Sequence, residues 1–150
     1  MVLSKTISKK CIYALRALFE LAFRSSAEPV KIHDIADSQK IPSRFLEIIL
    51  AELKHGGFVE SRRGNDGGYL LIRDPHRINV GEVIDFVQGS YKIDCSGNAD
   101  TFEVSGDYVF NKLWKAVNTA IENIYSNTTL GGLVECERVE REKHVPNYCI

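Results

Sequence analysis

The chain has 150 residues, of which 44% are hydrophobic and 26% charged, with a net charge of −1, proportions that fit a soluble globular protein and exclude a disordered or fibrous one. No apolar run approaches the roughly 18 residues of a membrane span, and the four cysteines, Cys11, Cys95, Cys136 and Cys149, contain no CxxC pair and are too sparse for a secreted disulfide scaffold, so reduced thiols in a cytosol are expected. The charge is uneven: residues 1–73 carry 12 Lys+Arg against 8 Asp+Glu, and residues 74–150 carry 7 against 12, which gives the first half the basic footprint of a phosphate-binding surface.

The chain starts with a basic, then apolar stretch, but Arg16, Glu20 and Arg24 interrupt it and no small-residue cleavage site follows. It reads as an amphipathic helix of a cytoplasmic protein rather than a secretion signal. Residues 7–23 place Leu15, Leu18, Phe19 and Ala22 at helical spacing, with Ser8 or Thr6 as cap. Residues 32–38 predict a short helix with Ile32, Ile35 and Ala36 inward, and Lys40-Ile41-Pro42 a turn. Residues 43–56 put Phe45, Leu46, Ile49, Leu50 and Leu53 on one helical face, with Ser43 as N-cap and Gly56-Gly57 as the stop.

Two short strands follow, FVESRR and YLLIR, joined by the turn Gly64-Asn65-Asp66-Gly67-Gly68, where glycines permit a sharp reversal. Helix, short helix, turn, helix and hairpin is the order of a winged helix-turn-helix, a fold that sets its second helix into the DNA major groove. The hairpin is then the wing, and its arginines reach phosphates or a narrow minor groove. Asp74-Pro75 ends it, and residues 79–88 predict a further short helix. Residues 89–106 lack periodicity and read as a long loop. Residues 107–125 form the clearest helix, with Phe110, Leu113, Trp114, Val117, Ile121 and Ile124 in one stripe. That stripe serves either the chain's own core or a second subunit; a dimer matches the habit of helix-turn-helix proteins to read two half-sites. Residues 127–134 predict a short turn or helix, and the charged remainder a tail.

The fold class expected is therefore mainly α with a small β-hairpin wing: a winged helix-turn-helix over residues 1–78, a loop and dimerisation helices over 79–135, and a tail over 136–150. No enzyme signature is present: His33, His55, His76 and His144 lie in no HExxH spacing, and no nucleophile elbow, P-loop or dinucleotide fingerprint appears.

Four stretches, SKKCIYALRALFELA, IPSRFLEIILAELKHGGFVESRRGNDGGYLLIR, INVGEVIDFVQG and NTTLGGLVE, resemble the small dimeric winged-helix regulators of bacteria that include IscR, NsrR and CymR. The most specific feature is R-G-x-x-G-G-Y-x-L directly after the helix-turn-helix. The resemblance implies a homodimer, usually a repressor, that binds a pseudo-palindromic operator, with the long helix crossing its partner's. It implies base reading at the start of the second helix, where this chain has Pro42, Ser43, Arg44 and Glu47. Arg44 suits a guanine, and Glu47 suits cytosine N4 or an ion pair that orients Arg44. Arg63 matches the family's minor-groove arginine, while Arg62, Lys9 and Lys10 are expected phosphate contacts.

Many members also hold an iron–sulfur cluster through three cysteines spaced by five residues in the loop. Here Cys95 stands at the first position, but Asp100-Thr101-Phe102 and Ser105-Gly106-Asp107 stand at the others. Further ligands of some members fall near Asn111 and near Ile12, beside Cys11. The expectation is therefore no cofactor, with input from a thiol event at Cys95 or from a protein or small-ligand partner. The alternatives are a sensor that combines Cys95, Cys11 of the partner subunit and carboxylates around iron, and a winged helix that binds protein instead of DNA.

Overall fold

A computed structural model describes residues 7–25, 27–95 and 104–144. In chain order these form α1 (Lys9–Arg24), α2 (Ile32–Gln39), α3 (Ser43–His55), β1 (Val59–Arg62), β2 (Gly68–Leu71), a 3-10 turn (Pro75–Arg77), α4 (Val80–Gln88), α5 (Asp107–Asn127) and α6 (Leu130–His144). Among the described residues no helix is long and apolar enough to cross a membrane. Thr6, Asp100, Thr101, Phe102 and Cys149, invoked above, lie outside the described residues.

The core forms where apolar residues repeat at three- and four-residue spacing on the first three helices. Ala14, Leu18 and Leu21 of α1, Ile35 of α2, and Leu46, Leu50 and Leu53 of α3 are all buried. Ser8 caps α1, its Oγ accepting from the Cys11 amide at 3.1 Å. The turn between α2 and α3 is made by Lys40 at φ 53°, and the Ile41 amide returns to the Ala36 carbonyl at 3.0 Å. That closure buries Ile41 under the two helices.

Two details of α3 differ from expectation. Ser43 is the first helical residue and makes no cap; Pro42 holds the cap position in extended backbone, because its ring fixes φ where the helix must begin. Phe45 does not join the inner face and is 47% exposed. The inner row is already complete with Leu46, Ile49, Leu50 and Leu53.

The wing is an antiparallel pair in which Val59 faces Leu71 and Arg62 faces Gly68. Gly64 takes φ 111°, a value open mainly to glycine. Val30 bridges Tyr69 through two backbone hydrogen bonds of 2.9 and 2.8 Å, which pins the segment before α2 to the hairpin at one isolated bridge. A Cβ at Gly68 would collide with the Val30 carbonyl; this close approach explains the glycine.

Asn79 and Glu82 close a capping box on α4, each side chain satisfying the other's backbone amide. Leu130 and Val134 of α6 enter the same core as Leu18 and Leu50. α6 also continues past the expected short turn, through what reads as tail, to His144. Its second half carries exposed charge pairs, Glu137 to Arg141 at 2.6 Å and Glu140 to Lys143 at 2.7 Å, each a small contribution. The guanidiniums of Arg138 and Arg141 also lie over the Phe23 ring, at 5.8 and 4.8 Å from its centroid.

Candidate nucleic-acid interface

Helix α3 offers an outer row opposite its buried face. Ser43, Arg44, Glu47 and Ile48 are all exposed there. The Arg44 guanidinium lies over the neighbouring Phe45 ring at 5.3 Å from the centroid. Among the described residues no ion pair joins Arg44 to Glu47, so Phe45, not Glu47, is the side chain that steadies Arg44. Its N–H donors enter no ion pair among the described residues.

The wing supplies the second set. Arg63 sits at the start of the tight turn, exposed, with no ion-pair partner among the described residues. Arg62 has a loose contact with Glu60 at 3.4 Å, between two exposed side chains, which water screens strongly. Lys54 donates to the Ser61 hydroxyl at 2.6 Å and ties the end of α3 to the wing.

At the start of α1, Lys9 lies over the Tyr13 ring at 5.9 Å, while Lys10 pairs with Glu52 of α3 at 2.7 Å. Glu52 offsets part of the Lys10 charge, a partnership that no local pattern announces. Ile48, 58% exposed, is a residue to which the sequence assigned no role, and Phe45, 47% exposed, stands here instead of on the inner face where its spacing placed it. A helical-wheel position alone, with the inner row already filled, could have marked them.

Helix α5 has no buried residue. Phe110 and Trp114 stack at 6.4 Å between centroids, and Phe110, Leu113, Trp114 and Ile124 stand exposed. Val117 and Ile121 are half-buried, Ile121 against the small cluster of Cys11, Val80, Ile84 and Tyr91. Among the described residues, nothing of the chain's own core thus covers most of the stripe.

Cys95 lies at the edge of this helix. Asn118 of α5 accepts from the Ile93 amide at 2.8 Å, donates to the Ile93 carbonyl at 2.9 Å, and reaches the Cys95 sulfur at 3.4 Å. The Cys95 thiol donates to the Ile93 carbonyl at 3.3 Å. Cys11 is fully buried, and burial pushes its thiol pKa up. Among the described residues no group of three His, Cys, Asp or Glu side chains gathers as metal ligands. Residues 96–103 contribute no cysteine or histidine, only Asp100 and Glu103. An iron–sulfur cluster needs about four ligands, usually thiolates; among the described residues the thiols are the half-buried Cys95, the buried Cys11 and the exposed Cys136, which do not gather into one site, and the loop adds only hard carboxylates, which suit such a cluster poorly.

Comparison with known proteins agrees with this architecture. Residues 7–136 match the family described as Rrf2, iron-dependent transcriptional regulator. The HTH-type transcriptional regulator IscR of Escherichia coli K12 is 36% identical over 135 residues, covering 89% of this chain and 82% of that protein. Among solved structures, IscR of T. potens superposes with a TM-score of 0.73 at 31% identity, over 95% of this chain and 94% of the other. CymR, the global cysteine regulator of B. subtilis, superposes with a TM-score of 0.72 at 28% identity, over 87% and 96%.

Proposed function

The chain belongs to the Rrf2 family of transcriptional regulators, and from that premise we propose that it acts as a homodimer reading a pseudo-palindromic DNA operator, with repression as its output. The observation that carries the reading is the pair Arg44 and Arg63. One stands on the outer row of α3 and the other at the wing turn, both exposed and both outside any ion pair among the described residues. Arg44 donates to a guanine edge in the major groove. Arg63 enters the flanking minor groove, where narrow A·T-rich stretches concentrate negative potential. Lys9 and Arg62 hold phosphates and position the protein without specifying sequence.

Dimerisation runs through α5. An apolar stripe of four exposed large side chains on a helix with no buried residue is the kind of contiguous patch that marks a protein–protein contact. A two-fold axis there would present two recognition helices to successive half-sites. The regulatory input acts without an iron–sulfur cluster, through the Cys95 thiol or through a bound partner. Support for this comes from the donor set around Cys95 and from the polar contact with Asn118, which links that thiol to the dimer helix.

Selection of bound duplexes from a random pool tests the reading. An inverted repeat with half-sites about one helical turn or a multiple apart is the expected result. Recovery of no duplex at low salt would contradict it.

A further inference from the structure

The recognition surface contains a feature that its arginines do not explain. Phe45 and Ile48 are large apolar side chains, 47% and 58% exposed, in the middle of a row otherwise suited to polar base edges. Between them and the start of α1 lies an apolar hollow of about 410 Å³, bounded by Lys9, Lys10, Tyr13, Pro42, Phe45 and Ile48. A second, more open depression continues past Ile48 to Ala51, Glu52, His55 and Phe86, its one carboxylate already paired with Lys10 at 2.7 Å. Ile48 is thus an isolated apolar ridge with room on both sides. It lies four residues after Arg44, on the same side of the helix and one turn further on.

The charges around this ridge indicate its occupant. Lys9 and Arg44 stand at its margins with no ion pair among the described residues. An apolar peptide segment would have to desolvate both cations without compensation. A duplex meets both demands at once, with phosphates for the cations and, in the major groove, one apolar group: the C5-methyl of thymine.

Resting on the DNA-binding reading above, we infer that Ile48 is a specificity-determining residue that packs on a thymine methyl, with Phe45 flooring the contact while it steadies Arg44. One helical turn advances about 5.4 Å and one base pair about 3.4 Å. The thymine therefore lies about one to two base pairs from the guanine read by Arg44. Burying one methyl corresponds to about a fourfold change in affinity per half-site, and so about fifteenfold for a two-fold operator.

The test is a thymine-to-deoxyuridine scan, which removes only the methyl group. A duplex selected by the wild-type protein is resynthesised with each symmetric thymine pair replaced in turn, and binding is followed by fluorescence anisotropy for wild type and for Ile48→Ala. Ile48 is exposed, so the variant folds, as its helical circular dichroism would report. One thymine pair is expected to lose about fifteenfold with wild type on conversion to deoxyuridine and to lose nothing with Ile48→Ala, at the stated distance from the Arg44 guanine. If no thymine is sensitive, or if the sensitive one stays equally sensitive in Ile48→Ala, the inference is overturned while DNA binding stands. If no duplex is bound at all, both fall, and the ridge serves a protein partner or a second copy of the chain.

Discussion

Replacing Phe110 with alanine isolates the α5 interface from the fold. Phe110 is 57% exposed, and its main aromatic neighbour is Trp114, on the same helix. The chain's own core does not depend on the ring, and alanine favours the helix. With about 200 Å² for the whole side chain, roughly 110 Å² waits to be covered by a partner. At about 25 cal/mol per Å² this amounts to about 3 kcal/mol per protomer. An interface around a two-fold axis loses the contact twice, so the dimer weakens by about 6 kcal/mol, or about four orders of magnitude in dissociation constant. Sedimentation velocity across a dilution series should show wild type as a dimer at about 1 µM and Phe110→Ala as a monomer, with helical circular dichroism retained in both. Ile124→Glu, at a position 63% exposed, should act in the same direction by placing an unpaired carboxylate in the contact. Val117 and Ile121 are poorer probes, because Ile121 also packs on the cluster around Cys11. A folded Phe110→Ala protein that keeps its dimer mass at about 1 µM would refute the assignment of α5.

Three further outcomes follow from the same structure. Gly68→Ala forces a Cβ against the Val30 carbonyl, and should lower stability by about 1–3 kcal/mol in urea titrations. Glu20 is buried and bonded to Arg24 at 2.7 Å and to Gln39 at 2.8 Å; burial alone would raise its pKa, but the bonds from Gln39, Arg24 and Ser38 and the Arg24 charge hold it below the ordinary value of 4.5. Its contribution is then complete above pH 4.5 and lost as pH falls through the lower folded value, so melting temperatures of wild type and Glu20→Gln should differ at pH 7 and converge under acid. Anaerobic purification from iron-supplemented cells should give protein without stoichiometric iron and sulfide; a visible chromophore that disappears in Cys95→Ala would reverse that reading.

The parts legible in the sequence were those whose cause is local. The three- and four-residue spacing of Leu18, Leu46 and Leu50, the Ser8 cap and the glycines of the wing each act within a few positions. The parts that were not legible depend on distant partners. Glu20 reads as a solvated interruption of an apolar stretch until Gln39, nineteen residues on, reaches it. The second half of α6 has no apolar repeat, and its Arg138 and Arg141 lie over the Phe23 ring, which only the fold brings to them. Phe45 fits the apolar pattern of α3 but is displaced from the core once four other residues complete it. At the candidate interface, residue types and order singled out Arg44 and Arg63, and both stand exposed. The pairing of Lys10 with Glu52 and the hold of Asn118 on Ile93 and Cys95 required the tertiary structure.

The most direct test of sequence-specific DNA binding is the affinity of wild type and Arg44→Ala for the selected operator and for its single-base variants, measured by anisotropy at several salt concentrations. The account predicts that Arg44→Ala loses about 1–3 kcal/mol on the operator and no longer discriminates at one base pair per half-site, while its salt slope changes little. Lys9→Ala, by contrast, should weaken every duplex about evenly and flatten the slope. An Arg44→Ala protein with the affinity and base preference of wild type would contradict the account.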